Sequence, residues 1–490
     1  MMRINDLVKN IDAVSITGAE NPVIDNIEFD SRKVKPDTLF VAVKGTKSDG
    51  HDFINDAVAS GAVAVICEAL PEKAGTNICW IKTNDSARAL GIVSSEFFGN
   101  PSASLKLTGV TGTNGKTTIA TLLYRMFTRL GYKCGLFSTV CNYIVITEHP
   151  ATHTTPDPVQ LNRNLAAMVE AGCDFAFMEV SSHAITQKRI SGLKFAGGIF
   201  TNLTHDHLDY HRTFSNYLEA KKSFFDSLPA DSFALTNADD KNGKVMLQNS
   251  VARKYTFSIK GIADFRCNII EQDFRGMDLK IQGEDVWTRF TGDFNASNLL
   301  AVFAASELLG GTRKEILTIL SDLRPVPGRF ESVEAPGGIY GIVDYAHTPD
   351  ALLNVISTIN KIRGDAKQLI TVVGAGGDRD RTKRPKMALI SAEGSSKVIL
   401  TSDNPRTEDP ETILDDMERG ITPDVRRKVL RISDRREAIK TAVMLAGAGD
   451  VILVAGKGHE TYQEINGIRH HFDDREELKA ALLLKHNNTK

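Results

Sequence analysis

The stretch that most restricts the fold is "LKLTGVTGTNGKTT", residues 105–118, followed by "IATLLYRMFTRLG". An apolar strand run passes through a glycine-rich turn into an amphipathic helix that ends at Gly131. A strand delivered through such a turn to a helix N-terminus belongs to parallel α/β architecture. Gly112 and Gly115 free the backbone between them to point N–H groups inward. Those amides and the Lys116 ammonium can neutralise β- and γ-phosphates, and the Thr117 hydroxyl can meet Mg²⁺. Val110 stands where the usual phosphate-loop pattern has its first glycine, but the substitution removes none of these donors. The plain alternative is a glycine-rich turn with an incidental lysine.

The chain has 490 residues, and at roughly 150 residues per domain it should form about three. From Val23 to about Leu105, the β-type runs "TLFVAVKG", "AVAVICE" and "ICWIKT" alternate with helical stretches. After "FGNPSASLKL", a break rich in Gly, Pro and Ser, comes a second series: "LKLTGV", "CGLFST", "CDFAFMEV", "GGIFTNL" and "SFALTN". Continuous apolar runs of this kind are buried parallel strands. From about Ser250 to Phe294 the pattern predicts antiparallel β, then a helix in "NASNLLAVFAASELLG". "RPVPGRFE" is a hinge candidate, and "IYGIVDY", "QLITVVGAGG", "KVILTSDN" and "DVILVAGKG" predict a third α/β unit. The expected domains are 1–105, 106–328 and 329–490, with polar residues gathered at the carboxyl ends of strands, where open sheets bind ligands.

Lys and Arg number 59 against 61 for Asp and Glu, so no net field favours nucleic acid or an anionic membrane surface. The six cysteines form no CxxC or Cys/His metal spacing and read as reduced core residues of a cytosolic protein. "MMRINDLVKN" lacks a sustained apolar segment, and no window reaches a membrane span. A cytoplasmic monomer without membrane insertion is expected.

Two strand ends carry metal-type residues: Glu179 in "MEVSSH", and His205, Asp206, His207, Asp209 and His211 in "NLTHDHLDYH". The spacing of the second group matches no standard zinc site. Beside a phosphate loop, oxygen-rich Mg²⁺ coordination through Thr117 and Glu179 fits better, while the histidines could equally hydrogen-bond a loop.

"GVTGTNGKTT", "MEVSSHAITQKRI", "NLTHDHLDYH", "YLEAKK", "FNASNLLA", "PGRFE", "VDYAHTPDAL", "GGDRDRTKRP", "DNPRTEDP" and "GKGHE" follow one another between residues 109 and 460. In this order they resemble the Mur ligases. With "FDSRKVKPDTLFVAVKGTKSDG" included, nearly the whole chain is similar to the members that add the third residue to the UDP-N-acetylmuramoyl peptide. The resemblance implies three domains: an N-terminal UDP-binding unit, a central ATPase-like unit with a parallel sheet, and a C-terminal Rossmann-like unit. It also implies ATP-dependent amide ligation, in which a substrate carboxylate takes the γ-phosphate and an amine displaces the acyl phosphate.

By the same resemblance, Gly112, Thr113, Asn114, Gly115, Lys116, Thr117, Thr118, Asn295, Arg329 and Asp344 contact ATP, with His347 nearby. Thr117 and Glu179 hold one Mg²⁺, and His207 and a carboxylated Lys221 serve a second. Lys116, Lys221, His207 and Glu179 form the catalytic group. On the residues alone, Lys221 and Lys222 are a solvated helix face. Capture of carbon dioxide to give N6-carboxylysine needs a neutral amine, hence a depressed pKa.

The resemblance puts Ser31, Thr46, Lys47 and Ser48 near the uridine diphosphate, and Thr154, Thr155, Ser181, Gln187 and Arg189 near the sugar and peptide. Where the family often has Asn before the Thr pair, this chain has His153. For the incoming amino acid it implies Arg379, Asp403, Asn404, Pro405, Arg406, Gly456 and Glu460. Arg406 suits meso-diaminopimelate, whose distal carboxylate lysine lacks, and a lysine ligand would leave the guanidinium unpaired. The substrates implied are therefore UDP-N-acetylmuramoyl-L-alanyl-D-glutamate and meso-diaminopimelate. Competing readings are lysine addition, folate polyglutamation and a nucleotide-switched binding module.

Overall fold

A computed structural model describes residues 1–45, 48–151, 153–204, 206, 208–334, 338–364 and 367–488. The sequence signal at residue 105 becomes the strand Lys106–Thr111, which lies between the parallel strands Phe175–Glu179 and Gly197–Phe200. Being covered on both faces, these strands are apolar nearly throughout. The helix Lys116–Arg129 opens at Gly115, with φ 89°, and its chain turns away at Gly131, with φ 93°. Ile119, Leu122, Leu123, Met126 and Phe127 give it one wholly buried stripe. Phe127 meets Phe175 and Phe177 on the sheet at ring separations of 4.3 and 5.3 Å. Full burial of each such side chain contributes about 1.5–3 kcal/mol.

Among the described residues the central sheet has 11 strands. Their order is Thr147–Pro150, Cys141–Ile144, Cys134–Phe137, Phe175–Glu179, Lys106–Thr111, Gly197–Phe200, Phe233–Asn237, Arg253–Ser258, Phe265–Asp273, Gly276–Ile281, Glu284–Thr288. The antiparallel expectation from Ser250 onward needs correction at its start. Arg253–Ser258 pairs parallel with Phe233–Asn237 and with Phe265–Asp273, and beyond Ser250 the antiparallel pairing is confined to the last three strands, while Cys141–Ile144 is antiparallel to both its neighbours at the other end of the sheet. The helix Asp293–Leu308 is buried on almost every side and covers this end of the sheet.

The N-terminal sheet has the order Ala13–Gly18, Cys79–Thr83, Ala62–Cys67, Thr38–Val41, Asn26–Glu28, antiparallel only at its first pair. The C-terminal sheet runs Glu331–Glu334, Tyr340–Asp344, Val451–Ala455, Leu369–Val373, Lys397–Leu400, Val429–Arg431, again antiparallel only at its first pair. Arg435 and Asp474, both fully buried, pair at 2.7 Å and fasten the helices Arg435–Leu445 and Asp474–Asn488 behind that sheet. Among the described residues no helix is long and apolar enough to cross a membrane.

Candidate active site

The carboxyl ends of the central and C-terminal sheets face one cavity of about 1550 Å³. Its lining joins the phosphate loop from Thr113 to Thr118 with Glu179, Lys221, Arg329 and Asp344, and with Arg379, Asp403, Asn404, Arg406 and Glu460 of the C-terminal unit. Side chains from residues 113 to 460 thus share one solvent space.

The loop's geometry explains its glycines. Gly112 has φ 148°, and a Cβ there would lie 1.8 Å from the Thr201 hydroxyl. A Cβ on Gly115 would lie 2.6 Å from Asn298 Oδ1. Val110, by contrast, is a buried strand residue in sheet register, one step before the loop opens. Lys116 Nζ donates to the carbonyls of Gly112 at 3.0 Å and Thr113 at 2.7 Å. Lys221 Nζ reaches the same Gly112 carbonyl at 2.8 Å and sits 4.7 Å above the Tyr217 ring. Lys221 is 1% exposed. Burial, reinforced by the Lys116 charge, holds its pKa well below the usual lysine range. Lys222 instead pairs with Asp226 at 2.6 Å, so of the two adjacent lysines only Lys221 reaches the cavity.

Glu179 is fully buried at its strand end. One carboxylate oxygen accepts the Thr139 amide at 2.6 Å, and the other has no hydrogen-bond partner among the described residues. The Thr117 hydroxyl accepts a bond from Arg329 at 3.2 Å, and Arg329 also lies 4.4 Å from the Tyr345 ring. Asp344 accepts the Phe330 amide at 2.6 Å, and burial raises its carboxyl to about 6 against the pull of Arg329. Burial likewise lowers His347 to about 4. Asn295 is buried and donates to the Thr291 carbonyl at 2.9 Å. Among the described residues no three His, Cys, Asp or Glu side chains form a metal-holding group. His205 and His207 lie outside the described residues, and His211 instead meets the Ser182 hydroxyl at 2.9 Å.

A second network starts at Arg189, which donates to Gln187 Oε1 at 3.0 and 2.6 Å and to the Thr155 carbonyl at 2.8 Å. Thr155 bonds the Glu179 carbonyl at 2.8 Å, and Ser181 caps the helix Ser182–Thr186. Thr154 accepts from Thr139 at 3.0 Å. Ser31 and Ser48 stand on the N-terminal unit and do not line the cavity, while Thr46 and Lys47 lie outside the described residues.

In the C-terminal unit Asn404 bonds Glu460 at 2.7 Å and receives Lys457 at 3.0 Å. Asp403 is buried. Burial works upward on its carboxyl but is outweighed by the Lys457 and Arg435 cations, which hold it below the usual range. Burial and then the Asp403 charge raise Glu460. Gly456 must be glycine, because at φ 118° a Cβ would lie 2.6 Å from Asp403 Oδ2. Arg406 adopts φ 53°, a left-handed conformation that costs a non-glycine residue about 1–3 kcal/mol. Three bonds hold it there: its amide to the Glu464 carbonyl at 3.0 Å, its carbonyl to the Asn466 amide at 2.7 Å, and its guanidinium to the Gly377 carbonyl at 2.6 Å. The first two come from the hairpin Tyr462–Ile465 and Ile468–His471, which carries no motif. Arg379 is exposed at the rim, and Pro405 is buried outside the lining. Sequence reasoning missed Lys457, inside "GKGHE", and Lys383, inside "GGDRDRTKRP"; both lay in quoted motifs, but burial gives them their place.

Comparison with known proteins agrees with this geometry. Residues 110–306 match the Mur ligase middle domain, 328–458 the Mur ligase glutamate ligase domain, and 23–98 the Mur ligase family catalytic domain. The chain is 56% identical over 478 residues to the UDP-N-acetylmuramoyl-L-alanyl-D-glutamate–2,6-diaminopimelate ligase of Phocaeicola vulgatus, covering 98% of this chain and 99% of that one. It is 57% identical to the protein of the same name from Parabacteroides distasonis, covering 98% of each. A solved structure bearing that ligase name matches with TM-score 0.68 and 35% identity, over 94% of this chain and 95% of that one. The fold extends to the MurF ligase from Thermotoga maritima in complex with ADP, with TM-score 0.61, 18% identity, and coverage of 95% and 98%. By domain order, coverage and identity, this chain belongs to the Mur ligase family.

Proposed function

We propose that the chain joins meso-diaminopimelate to UDP-N-acetylmuramoyl-L-alanyl-D-glutamate at the expense of ATP, in the cytoplasmic assembly of the peptidoglycan precursor. The observation that carries this reading is the shared cavity, with a phosphate loop at one end and the Arg406 guanidinium at the other. The names and identities of the relatives support the same substrates. In the proposed division of work, residues 1–105 hold the uridine diphosphate end through Ser31 and Thr46 to Ser48, 106–328 handle ATP, and 329–490 receive the amino acid.

Phosphoryl transfer asks mainly for positioning and charge neutralisation. Loop amides, Lys116 and Arg329 would surround the γ-phosphate while a dipeptide carboxylate oxygen forms the new bond to phosphorus and ADP leaves. The carboxylate would be held by the Arg189 network. The diamine nitrogen, having lost a proton, then attacks the acyl carbon, and the carbon–oxygen bond to phosphate breaks. The unpartnered buried oxygen of Glu179 fits a divalent cation, which Thr117 and Glu179 would hold, while His207 and a carboxylated Lys221 would serve a second. When bound, Mg²⁺ neutralises charge on the transferring phosphoryl group.

The pocket favours a dicarboxylic diamine because Arg406 would receive the distal carboxylate while Glu460 and Asp403 face the ammonium. Each charge-assisted bond contributes about 1.5–3 kcal/mol. A product assay offering meso-diaminopimelate and lysine together should yield mainly the diaminopimelate tripeptide. Arg406→Ala should lower kcat/KM for diaminopimelate by about 10- to 100-fold while leaving the KM for ATP near wild type. Equal coupling of both diamines by the wild type would reject the assignment.

Lys221, buried and held toward its neutral form, would add its nitrogen to carbon dioxide and release a proton, giving a carbamate beside the phosphate loop. Incubation with carbon-isotope-labelled bicarbonate should give a carbamate resonance that disappears in Lys221→Arg together with ligase activity. An active Lys221→Arg protein would exclude the modification from the mechanism.

Asp344, proposed to accept ribose hydroxyls, does so best when ionised. Its carboxyl stands at about 6, so acidification through that value should protonate it and raise the KM for ATP, with recovery above it. The profile in Asp344→Asn should lose that inflection. Persistence of the same inflection in the variant would assign the transition to another group.

A further inference from the structure

Arg384 is 0% exposed, contacts neither the phosphate loop nor the cavity, and has no part in the chemistry described above. It rises from the first turn of the helix Lys383–Gly394, directly under two loops. One loop, residues 376–380, carries Arg379; the other, residues 403–408, carries Arg406. Arg384 grips Glu408 with both arms of its fork, at 2.8 and 2.9 Å, and donates to the Gly376 carbonyl at 3.2 Å. Asp416 takes a further bond at 3.0 Å. Glu408 in turn receives the Asp378 amide at 2.6 Å, so a single carboxylate ties the buried guanidinium to both loops.

Next to this pair the loops are strapped twice more. Thr407 bonds the Asp378 carboxylate at 2.8 and 3.0 Å, and the Gly377 amide donates to the Asn404 carbonyl at 2.9 Å. The approach is close enough that a Cβ on Gly377 would lie 1.9 Å from the Pro405 carbonyl oxygen. The Arg406 guanidinium itself leans on the Gly377 carbonyl. Its direction therefore depends on where the first loop sits relative to the second. A bidentate pair on a buried guanidinium is a poor way to gain net stability, since desolvation offsets much of the attraction, but it enforces register.

We propose that Arg384 and Glu408 are positioning residues for diamine selection: the pair sets the loop that carries Arg406 against the loop that carries Arg379, and so aims the anion contact. The proposal rests on the reading of Arg406 as the receiver of the distal carboxylate. A misaimed guanidinium should affect the dicarboxylic diamine selectively, because ATP and the UDP-linked dipeptide are held by other residues.

Glu408→Gln keeps size while removing the charge and replacing one acceptor oxygen of the fork by a donor, and Thr407→Val removes the neighbouring strap at an exposed position. Steady-state kinetics of the full-length protein with meso-diaminopimelate and with lysine, alongside thermal melts, distinguish aiming from simple support. Glu408→Gln should raise the KM for meso-diaminopimelate by about tenfold and shrink its preference over lysine by the same factor, with the KM for ATP unchanged. Thr407→Val should move both quantities in the same direction by less. If Glu408→Gln fails to fold, the Thr407→Val preference decides, and an unchanged preference there overturns the proposal. Equal losses with both diamines, or an unaltered KM in folded Glu408→Gln, would overturn it while leaving the wild-type reaction intact. A wild type that forms no diaminopimelate tripeptide would overturn the functional reading and this proposal with it.

Discussion

Two lysine nitrogens converge on one carbonyl oxygen. Lys116 and Lys221 both donate to Gly112, in a site where burial depresses the pKa of each. Like charges at such range disfavour one another, and although the Glu179 and Asp206 carboxylates offset this in part, loss of a proton or entry of anions favours the arrangement. Phosphate would answer the need at Lys116, and the proposed carboxylation would answer it at Lys221 by replacing a basic nitrogen with an anion. Much else follows from that loop. Gly112 and Gly115 must lack side chains to let Thr201 and Asn298 approach, and Arg329 must cross from the C-terminal unit to the Thr117 hydroxyl.

At the far end of the cavity the problem is the reverse. Asp403 and Glu460 are acids brought close together, and they are driven apart in pKa: Lys457 and Arg435 hold the first down, and burial raises the second. In the proposed reading an incoming diamine brings a further ammonium toward these acids and a carboxylate toward Arg406. The left-handed backbone of Arg406 is the local cost of aiming that guanidinium, offset by the hairpin Tyr462–Ile465 and Ile468–His471 and by the Gly377 carbonyl.

How much of this was legible depended on the range of the interactions. The strand, loop and helix around Lys116 were readable because the glycines, the apolar run and the helical period are local signals. The ordered motifs carried the family and supplied most of the proposed site residues. What escaped was set by distant partners. Nothing near Arg253 says that its strand would pair parallel, because pairing depends on a strand from residue 233. The choice between Lys221 and Lys222 turns on which helix face meets Gly112. Arg384 reads as one more surface charge in "DRTKRP" until Glu408, 24 positions on, closes over it. Short strands such as Cys141–Ile144, and the hairpin behind Arg406, carry too few residues to show a period.

The central claim is that the phosphate loop energises the acceptor independently of the pocket that selects the diamine. Isotope exchange within the β,γ-bridge of ATP, followed with UDP-linked dipeptide present and no diamine, tests it directly, since scrambling reports reversible acyl phosphate formation. The account predicts dipeptide-dependent scrambling that survives Arg406→Ala and is lost in Lys116→Ala. Scrambling that vanishes in Arg406→Ala, or persists in Lys116→Ala, would contradict it.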